Sequence, residues 1–435
     1  MHSLDDLAVE VRGGKSLGSI NTKPLVPYAE PVIYFLADLS KCLLASPVSR
    51  EFSDLAYFGY WCRSANLSKM AREADSRFAR LGRGLALHIA PANVPVNFAF
   101  SLAFGMLSGN ANIVRMPGNV FPQSEALCDV IDKLLVEDKH KLVASMNRII
   151  RYPRNDVITA ALSEACQARV IWGGDETIAK VRAMPSPSRC VDVAFADRYS
   201  LCALGVRAVL DCSDRELDDL ARAFYNDAYL MDQNACSSPH LVLWVGEQEA
   251  SQKAATRFWN ALSLHVRANY NLKPVQSVDK FVDLCRTAIE LPQAGRFSSF
   301  GNFVYRVALQ DVPDDIECWR GRHGFFYESS SPDLSLLTRI VGERYQTITY
   351  FGVDAGDIES LVLESGLKGI DRIVPVGRAL DIGVYWDGFD VISILSRIIQ
   401  EAPMPTISSK KDKNTQSIGF GASSESTPCD RPQYQ

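Results

Sequence analysis

The chain changes its hydrophobic rhythm near residue 85. Before that point, around 32 to 45, 50 to 64 and 66 to 80, apolar residues recur at three- and four-residue steps, the spacing that gives a helix one apolar face. Residues 1–30 are mixed, and KPLVPYAEP, from Lys23 to Pro31, reads as an extended lead-in because each proline disfavours helix in the residue before it. From Leu85 onward, short apolar runs alternate with amphipathic ones. LALHIA, NIVRM, RIIRY, ARVIW, CVDVAF and SLCAL read as strands; VNFAFSLAFGMLSG, QSEALCDVIDKLL, DVITAALSEAC and DETIAKVRAM read as helices. This βαβα series predicts an α/β fold with a doubly wound parallel sheet, since parallel strands need crossovers and the crossovers cover both faces.

A second α/β unit is predicted to begin near Val206. There DCSDRELDDLARAFYNDAYL offers Asp214 as a helix cap ahead of a stripe through Leu217, Leu220, Ala221 and Phe224. The strand LVLWV follows at 241–245, then the helix ASQKAATRFWNALSLHVRANY and mixed signals up to Gly369. The expected organisation is a lead-in at 1–30, a Rossmann-like cofactor domain at 31–205, a catalytic thiol domain at 206–370, and a segment at 371–403 returning to the domain interface. Residues 404–435 are too polar and too rich in Gly, Ser and Lys to offset the entropy of ordering them, so they read as a disordered tail.

Composition narrows the function classes. A length of 435 residues exceeds what one simple core supports, and 47% hydrophobic with 22% charged residues is the balance of an ordinary soluble protein. A net charge of −5 gives no attraction for a polyanion, so no nucleic acid is expected as partner. The eleven cysteines contain neither a CxxC pair nor a cluster of zinc spacing and read as reduced thiols, with no metal site. No secretory signal and no run of transmembrane length is evident, and the expected location is cytoplasmic.

Candidate chemistry sits where predicted strands end, because loops and helix N-termini there aim backbone N–H groups at anions. In ARVIWGGDETIAK, Gly173 and Gly174 make a turn that would let a nucleotide approach the backbone, although a plain strand-to-helix turn reads the same way. In HIAPANVPVNF two prolines flank Asn93, a rigid setting for an amide donor at an oxyanion or for a simple turn former. In MDQNACSSPHLVLW, Cys236 lies in a polar turn with Gln233, Asn234, Ser237 and Ser238, where a thiol can be partly exposed and its thiolate hydrogen-bonded. The other ten cysteines read as small buried hydrophobes.

These segments match, in order and approximate spacing, the motifs of the aldehyde dehydrogenase superfamily. PANVP resembles the Pro-Trp-Asn-Phe-Pro turn that supplies part of the oxyanion hole, and GNANIVRMPGN resembles the Gly-Asn-x-x-x-x-Lys-Pro segment at the adenosine ribose. WGGDET resembles the Gly-Ser turn at the cofactor, and QNAC resembles Gly-Gln-x-Cys at the nucleophile. HIAPANVPVNF, GNANIVRMP, CSSPH, YQTITYFG and DRIVPVGRALDIGVYWDGFDVISILSR are similar to the LuxC branch, the acyl-CoA (fatty-acid) reductases.

The resemblance implies an NADPH-dependent acyl-CoA reductase in which Cys236 is the nucleophile and Asn93 helps hold the oxyanion. Pro91, Arg115, Pro117, Gly173 and Gly174 would contact the cofactor, with Arg115 suited to a 2′-phosphate and Met116 standing directly before Pro117. The general-base Glu of hydrolytic members falls in VDVAFADRYS, where no Glu is present, a loss that suits thioester chemistry. The donor would be an acyl-CoA, an acyl carrier or an acylated synthetase, and the assembly a homo-oligomer. His240 is expected to be structural rather than a base, and Trp386 and Asp387 to close the site or the domain interface. The alternatives are a CoA-acylating aldehyde dehydrogenase working with NAD, and a non-catalytic scaffold that binds an acyl carrier.

Overall fold

Four strands rich in buried residues, Leu85–Ile89, Ala111–Arg115, Asn147–Arg151 and Ala168–Gly173, and a half-buried fifth at one edge, Val191–Ala196, make the body of a first sheet. The computed structural model describes residues 4–12, 16–74, 77–91 and 94–401. All five strands are parallel, and the short Glu10–Arg12 pairs antiparallel with Asn147–Arg151 at the other edge. In space they run third, second, first, fourth, fifth in chain order, so the winding reverses between Leu85–Ile89 and Ala168–Gly173. Alternate side chains feed two cores. Ala86, Val114 and Val170 join the helices Asn97–Leu107 and Pro122–Leu135 on one face; Leu87, Ile113 and Ile171 join Asp156–Ala165 and Asp175–Arg182 on the other.

Every residue of Asn97–Leu107 is buried, which explains why that segment is apolar all round. It lies between the sheet and the opening helices Glu30–Ala45, Ser53–Trp61 and Ser64–Glu73. A polar chain runs through this layer. His88 meets Ser101 Oγ at 2.8 Å and Asn112 Oδ1 at 3.0 Å, and Asn112 Nδ2 donates to Asn147 Oδ1 at 2.7 Å. Burial holds His88 near a pKa of about 4, hence neutral. A Cβ on Gly105 would stand 1.9 Å from Asn112 Oδ1, so only glycine lets this helix approach the network.

A second sheet holds seven strands in the order Ala294–Phe300, Val304–Leu309, Phe325–Ser331, Pro239–Val245, Tyr199–Gly205, Tyr345–Phe351 and Arg372–Pro375. The first pair is antiparallel and the others are parallel. Three expectations are corrected here. Tyr199–Gly205, read as the last strand of a first unit ending at 205, pairs inside this second sheet, so the chain crosses over between Ala196 and Tyr199. SLCAL is a fully buried, largely apolar run, and a pattern of that kind does not say which sheet it joins. The cap of helix Asp214–Ala228 is Ser213, in a reciprocal capping box with Glu216, rather than Asp214. The helical spacing over 66–80 forms helix only to Glu73; Ala79–Gly82 is a strand paired with Ser396–Ile399.

That last pairing returns the chain to the first sheet, where Trp386, Val391, Ile392 and Leu395 enter its core. Asn110 fastens it, accepting from Arg83 N at 2.7 Å and donating to Leu395 O at 2.8 Å. Among the described residues no helix is long and apolar enough to cross a membrane.

Candidate active site

The loops that follow Ile89, Arg115, Arg151, Gly173 and Ala196 open onto a cleft of about 980 Å³. It lies beside the reversal in strand order, where neighbouring crossovers leave in opposite directions and a crevice remains between them. Pro91, Arg115, Pro117, Gly173 and Gly174 line one wall, and Cys236 with His240 lines the other. Six of the seven predicted site residues therefore meet in one cavity; the seventh, Asn93, lies outside the described residues.

On the first wall the strand Ala111–Arg115 ends by turning Arg115 into the cleft and Met116 into the core, where Met116 is 1% exposed. The guanidinium lies over the Tyr152 ring, 4.7 Å from its centroid, and its buried Nε has no hydrogen-bond partner. An unpartnered donor on a fixed cation is a built place for an anionic oxygen. Gly174 has nothing within 4 Å of where a Cβ would stand, so the turn leaves space for a ligand against the backbone. Asp175 and Glu176 occupy the first turn of the helix that follows and oppose an anion there, which makes Arg115 the stronger phosphate partner.

The second wall is assembled differently. Between helix Asp214–Ala228 and strand Pro239–Val245 the chain makes a tight loop in which Asp232 and Gln233 have positive φ, 52° and 61°. Gln233 is buried and its amide is saturated: Nε2 donates to Pro239 O and Phe325 O at 3.0 and 2.9 Å, and Oε1 accepts from Gly324 N and Phe325 N at 3.0 and 3.1 Å. Ser238 Oγ donates to Asp227 O, and Ser200 Oγ donates to Cys236 O, both at 2.7 Å. The polar residues around the thiol thus fasten the loop. They do not supply the hydrogen bonds to a thiolate that the sequence suggested.

The side chain that favours the Cys236 thiolate most is Gln346, from the buried strand Tyr345–Phe351. Gln346 Nε2 donates to Asp387 Oδ1, while Asp387 Oδ2 is buried without a partner. Asp387 sits at a left-handed φ of 49° in the turn after Trp386, and Arg372 covers the Trp386 ring at 4.3 Å. Desolvation pushes the Cys236 thiol up to about 12; Asp387 and Asp197 add to the shift, and Gln346 and Arg372 oppose it. Burial raises Asp387 to about 6. His240 stacks on Tyr199 at 5.4 Å, has an unpartnered Nδ1 and is held by burial near 3, so it stays neutral. The carboxylate that does line the cleft at the position of the missing Glu, Asp197, is bound to Arg320 at 2.6 Å.

Gln346, Arg372 and Asp197 were not singled out from the sequence. Gln346 carried a usable signal, a long amide in the otherwise β-forming run YQTITYF, whereas Arg372 and Asp197 look like ordinary surface charges.

The family model for acyl-CoA reductases (LuxC) matches residues 63–398. A long-chain acyl-protein thioester reductase from Vibrio harveyi is 28% identical over 169 residues, covering 38% of this chain and 33% of the relative, so the alignment spans about a third of that protein's length. An NAD-dependent benzaldehyde dehydrogenase from Corynebacterium glutamicum superposes with a TM-score of 0.58 at 13% identity, covering 85% of this chain and 84% of its own. Proline utilization A from Bdellovibrio bacteriovorus superposes with a TM-score of 0.58 at 14% identity, covering 86% of this chain and 43% of its own. The fold is that of the aldehyde dehydrogenases.

Proposed function

Because the chain belongs to the acyl-CoA reductase (LuxC) family, we propose that it reduces a long-chain acyl thioester to an aldehyde with NADPH through an acyl group carried on Cys236. The observation that carries this reading is the placement of Cys236 and Arg115 on opposite walls of one cleft. Arg115 Nε and the open backbone at Gly174 fit a phosphorylated nucleotide on the first wall, and Arg115 favours the extra 2′-phosphate of NADPH.

The chain's own residues divide the work. The Cys236 sulfur attacks the thioester carbonyl, the bond to the leaving sulfur breaks, and the thiol proton passes to the departing thiolate. His240, held near 3 by burial, is too weak a base to take a proton from a thiol held near 12, so the departing thiolate is the acceptor and His240 keeps its structural place beside Tyr199. Asn93 and the Cys236 backbone N–H would hold the oxyanion. NADPH, when bound, supplies the hydride that reduces the acyl-Cys236 carbonyl. The oxyanion so formed expels the Cys236 sulfur as the C–S bond breaks and the aldehyde leaves, and one proton taken up from solvent returns the sulfur to a thiol. Phe195 and Ala196 line the cleft beside the ion-paired Asp197, so no free carboxylate in that strand activates water against the acyl enzyme.

The donor is an acyl-CoA or a protein-bound acyl thioester, the enzyme works as a homo-oligomer, and a reducing compartment such as the cytoplasm suits the ten free cysteines of the described residues. Intact mass after mixing with palmitoyl-CoA in the absence of NADPH tests the reading. An acyl adduct is expected on the wild type and not on Cys236→Ala, discharged as aldehyde when NADPH is added. No adduct from palmitoyl-CoA or from a carrier-linked palmitoyl group would sink the covalent route.

A further inference from the structure

Helix Pro274–Glu290 is packed with its polar side inward. Gln276, Lys280 and Thr287 are buried, whereas Val275, Val278, Phe281, Val282 and Ile289 are more than half exposed, Ile289 at 83%. The inward orientation is fixed by specific contacts. Thr287 Oγ1 meets the Tyr327 hydroxyl at 2.9 Å, and Lys280 Nζ donates to Asn302 O and lies 5.2 Å from the Tyr305 ring centroid. Turning the helix over to hide its valines would break each of these and would expose nothing useful in exchange.

The outward residues Val275, Val278, Val282, Cys285 and Ile289 follow steps of three, four, three and four. That spacing makes a straight seam along one side of a helix, suited to a second helix. The seam is symmetric about Val282, with Val275 and Ile289 seven residues to either side. Asp279 and Arg286 flank it on the same side, one in each half; Arg286 is bound to Glu290 at 2.8 Å through Nε, which leaves its other guanidinium nitrogens to meet a second carboxylate. An antiparallel copy of the same helix sets Asp279 against Arg286 of the partner subunit, twice, and apolar residues against apolar residues between them. The next strand, Ala294–Phe300, is the open edge of its sheet with Arg296, Phe297 and Ser299 exposed, and it supplies more surface toward the roughly 800 Å² per partner that a stable contact buries.

Residues 404–435 of the chain are a poor match for the seam. Their large apolar side chains, Met404, Ile407, Ile418, Phe420 and Tyr434, have no helical repeat. We propose that helix Pro274–Glu290 is the two-fold contact through which a second copy of this chain docks antiparallel. The two-fold charge pairing favours a second copy over an unrelated protein, which would have no reason to match Asp279 and Arg286 in mirrored halves.

The test is the mass of the full chain in solution by light scattering. The wild type is expected at twice the chain mass or a higher even multiple, and Val282→Glu, which brings two carboxylates together on the axis, at half that value, with dissociation strengthened by about a hundredfold. Asp279→Arg alone weakens the contact, and adding Arg286→Asp restores it. Val282→Cys should link two copies on oxidation. A wild type that is monomeric at all concentrations overturns the proposal, as does one that dimerises only after residues 404–435 are removed. A Val282→Glu variant with unchanged mass overturns this surface while leaving oligomerisation itself intact. The acyl adduct on Cys236, measured on the same variant, keeps the fate of the thioester reading separate.

Discussion

The two walls of the cleft use their polar groups in opposite ways. On the first wall Arg115 keeps an unpartnered Nε and Gly174 keeps open space, so groups are left over for a ligand. On the second wall Gln233, Ser238 and Ser200 are all committed to backbone atoms, and they frame a thiol set in a desolvated place. The first wall is built to bind something that comes and goes, and the second to hold a single atom still. Positioning within fractions of an ångström is worth several kcal/mol of barrier, which gives a physical reason to spend so many hydrogen bonds on one loop.

The largest effect is therefore expected from breaking the rigid wall. Gln233→Ala leaves two buried carbonyls and two buried N–H groups without their partner, at about 1–3 kcal/mol each, so a loss of roughly 4 kcal/mol or more in urea unfolding is expected. Gln233→Glu keeps the acceptor but sets a buried carboxyl oxygen against the Pro239 and Phe325 carbonyls, and should cost at least as much. A loss under about 1 kcal/mol for the alanine variant would mean that the loop is held by something else.

Breaking the open wall should change binding and leave folding alone. Arg115→Gln removes the fixed cation that a 2′-phosphate would meet, worth about 1.5–3 kcal/mol, so KM for NADPH should rise tenfold or more, roughly, while KM for NADH changes little. Equal effects on the two cofactors would show that Arg115 does not read the 2′-phosphate.

The same contrast governs what the sequence disclosed. The first sheet and its glycine turn were legible because parallel strands and crossovers leave a periodic signature; the site residues were legible through their resemblance to aldehyde dehydrogenase motifs, and six of the seven line one cleft. Crossing into the second sheet left no such mark: Tyr199–Gly205 is as apolar as its predecessors, and its partners, Pro239–Val245 and Tyr345–Phe351, come much later in the chain. The neighbours of the thiol were hidden for a similar reason. Gln346 and Arg372 stand 110 and 136 residues beyond Cys236, and only the fold brings their fields onto the sulfur; Asp387, farther still, was expected near the site or the domain interface, but not as a charge acting on the thiol.

Those fields give the smallest and most specific prediction. With the thiol near 12, alkylation of Cys236 by iodoacetamide, followed by peptide mass spectrometry, should accelerate about tenfold per pH unit between pH 7 and 10 as the thiolate fraction grows. Asp387 titrates near 6, so its charge opposes the thiolate above that pH and not below it. Asp387→Asn should therefore speed alkylation by about threefold at pH 8, and the advantage should close as the pH falls through 6. The carboxyl also carries a stability signature of defined sign. Its folded value lies above the ordinary 3.8, so the fold favours the neutral acid, and wild-type stability from this group is complete below 3.8 and is lost as the pH rises through 6. The asparagine variant lacks that loss. If it alkylates no faster than wild type at pH 8, the charge of Asp387 does not reach the sulfur, and the second wall keeps its thiol protonated by desolvation alone.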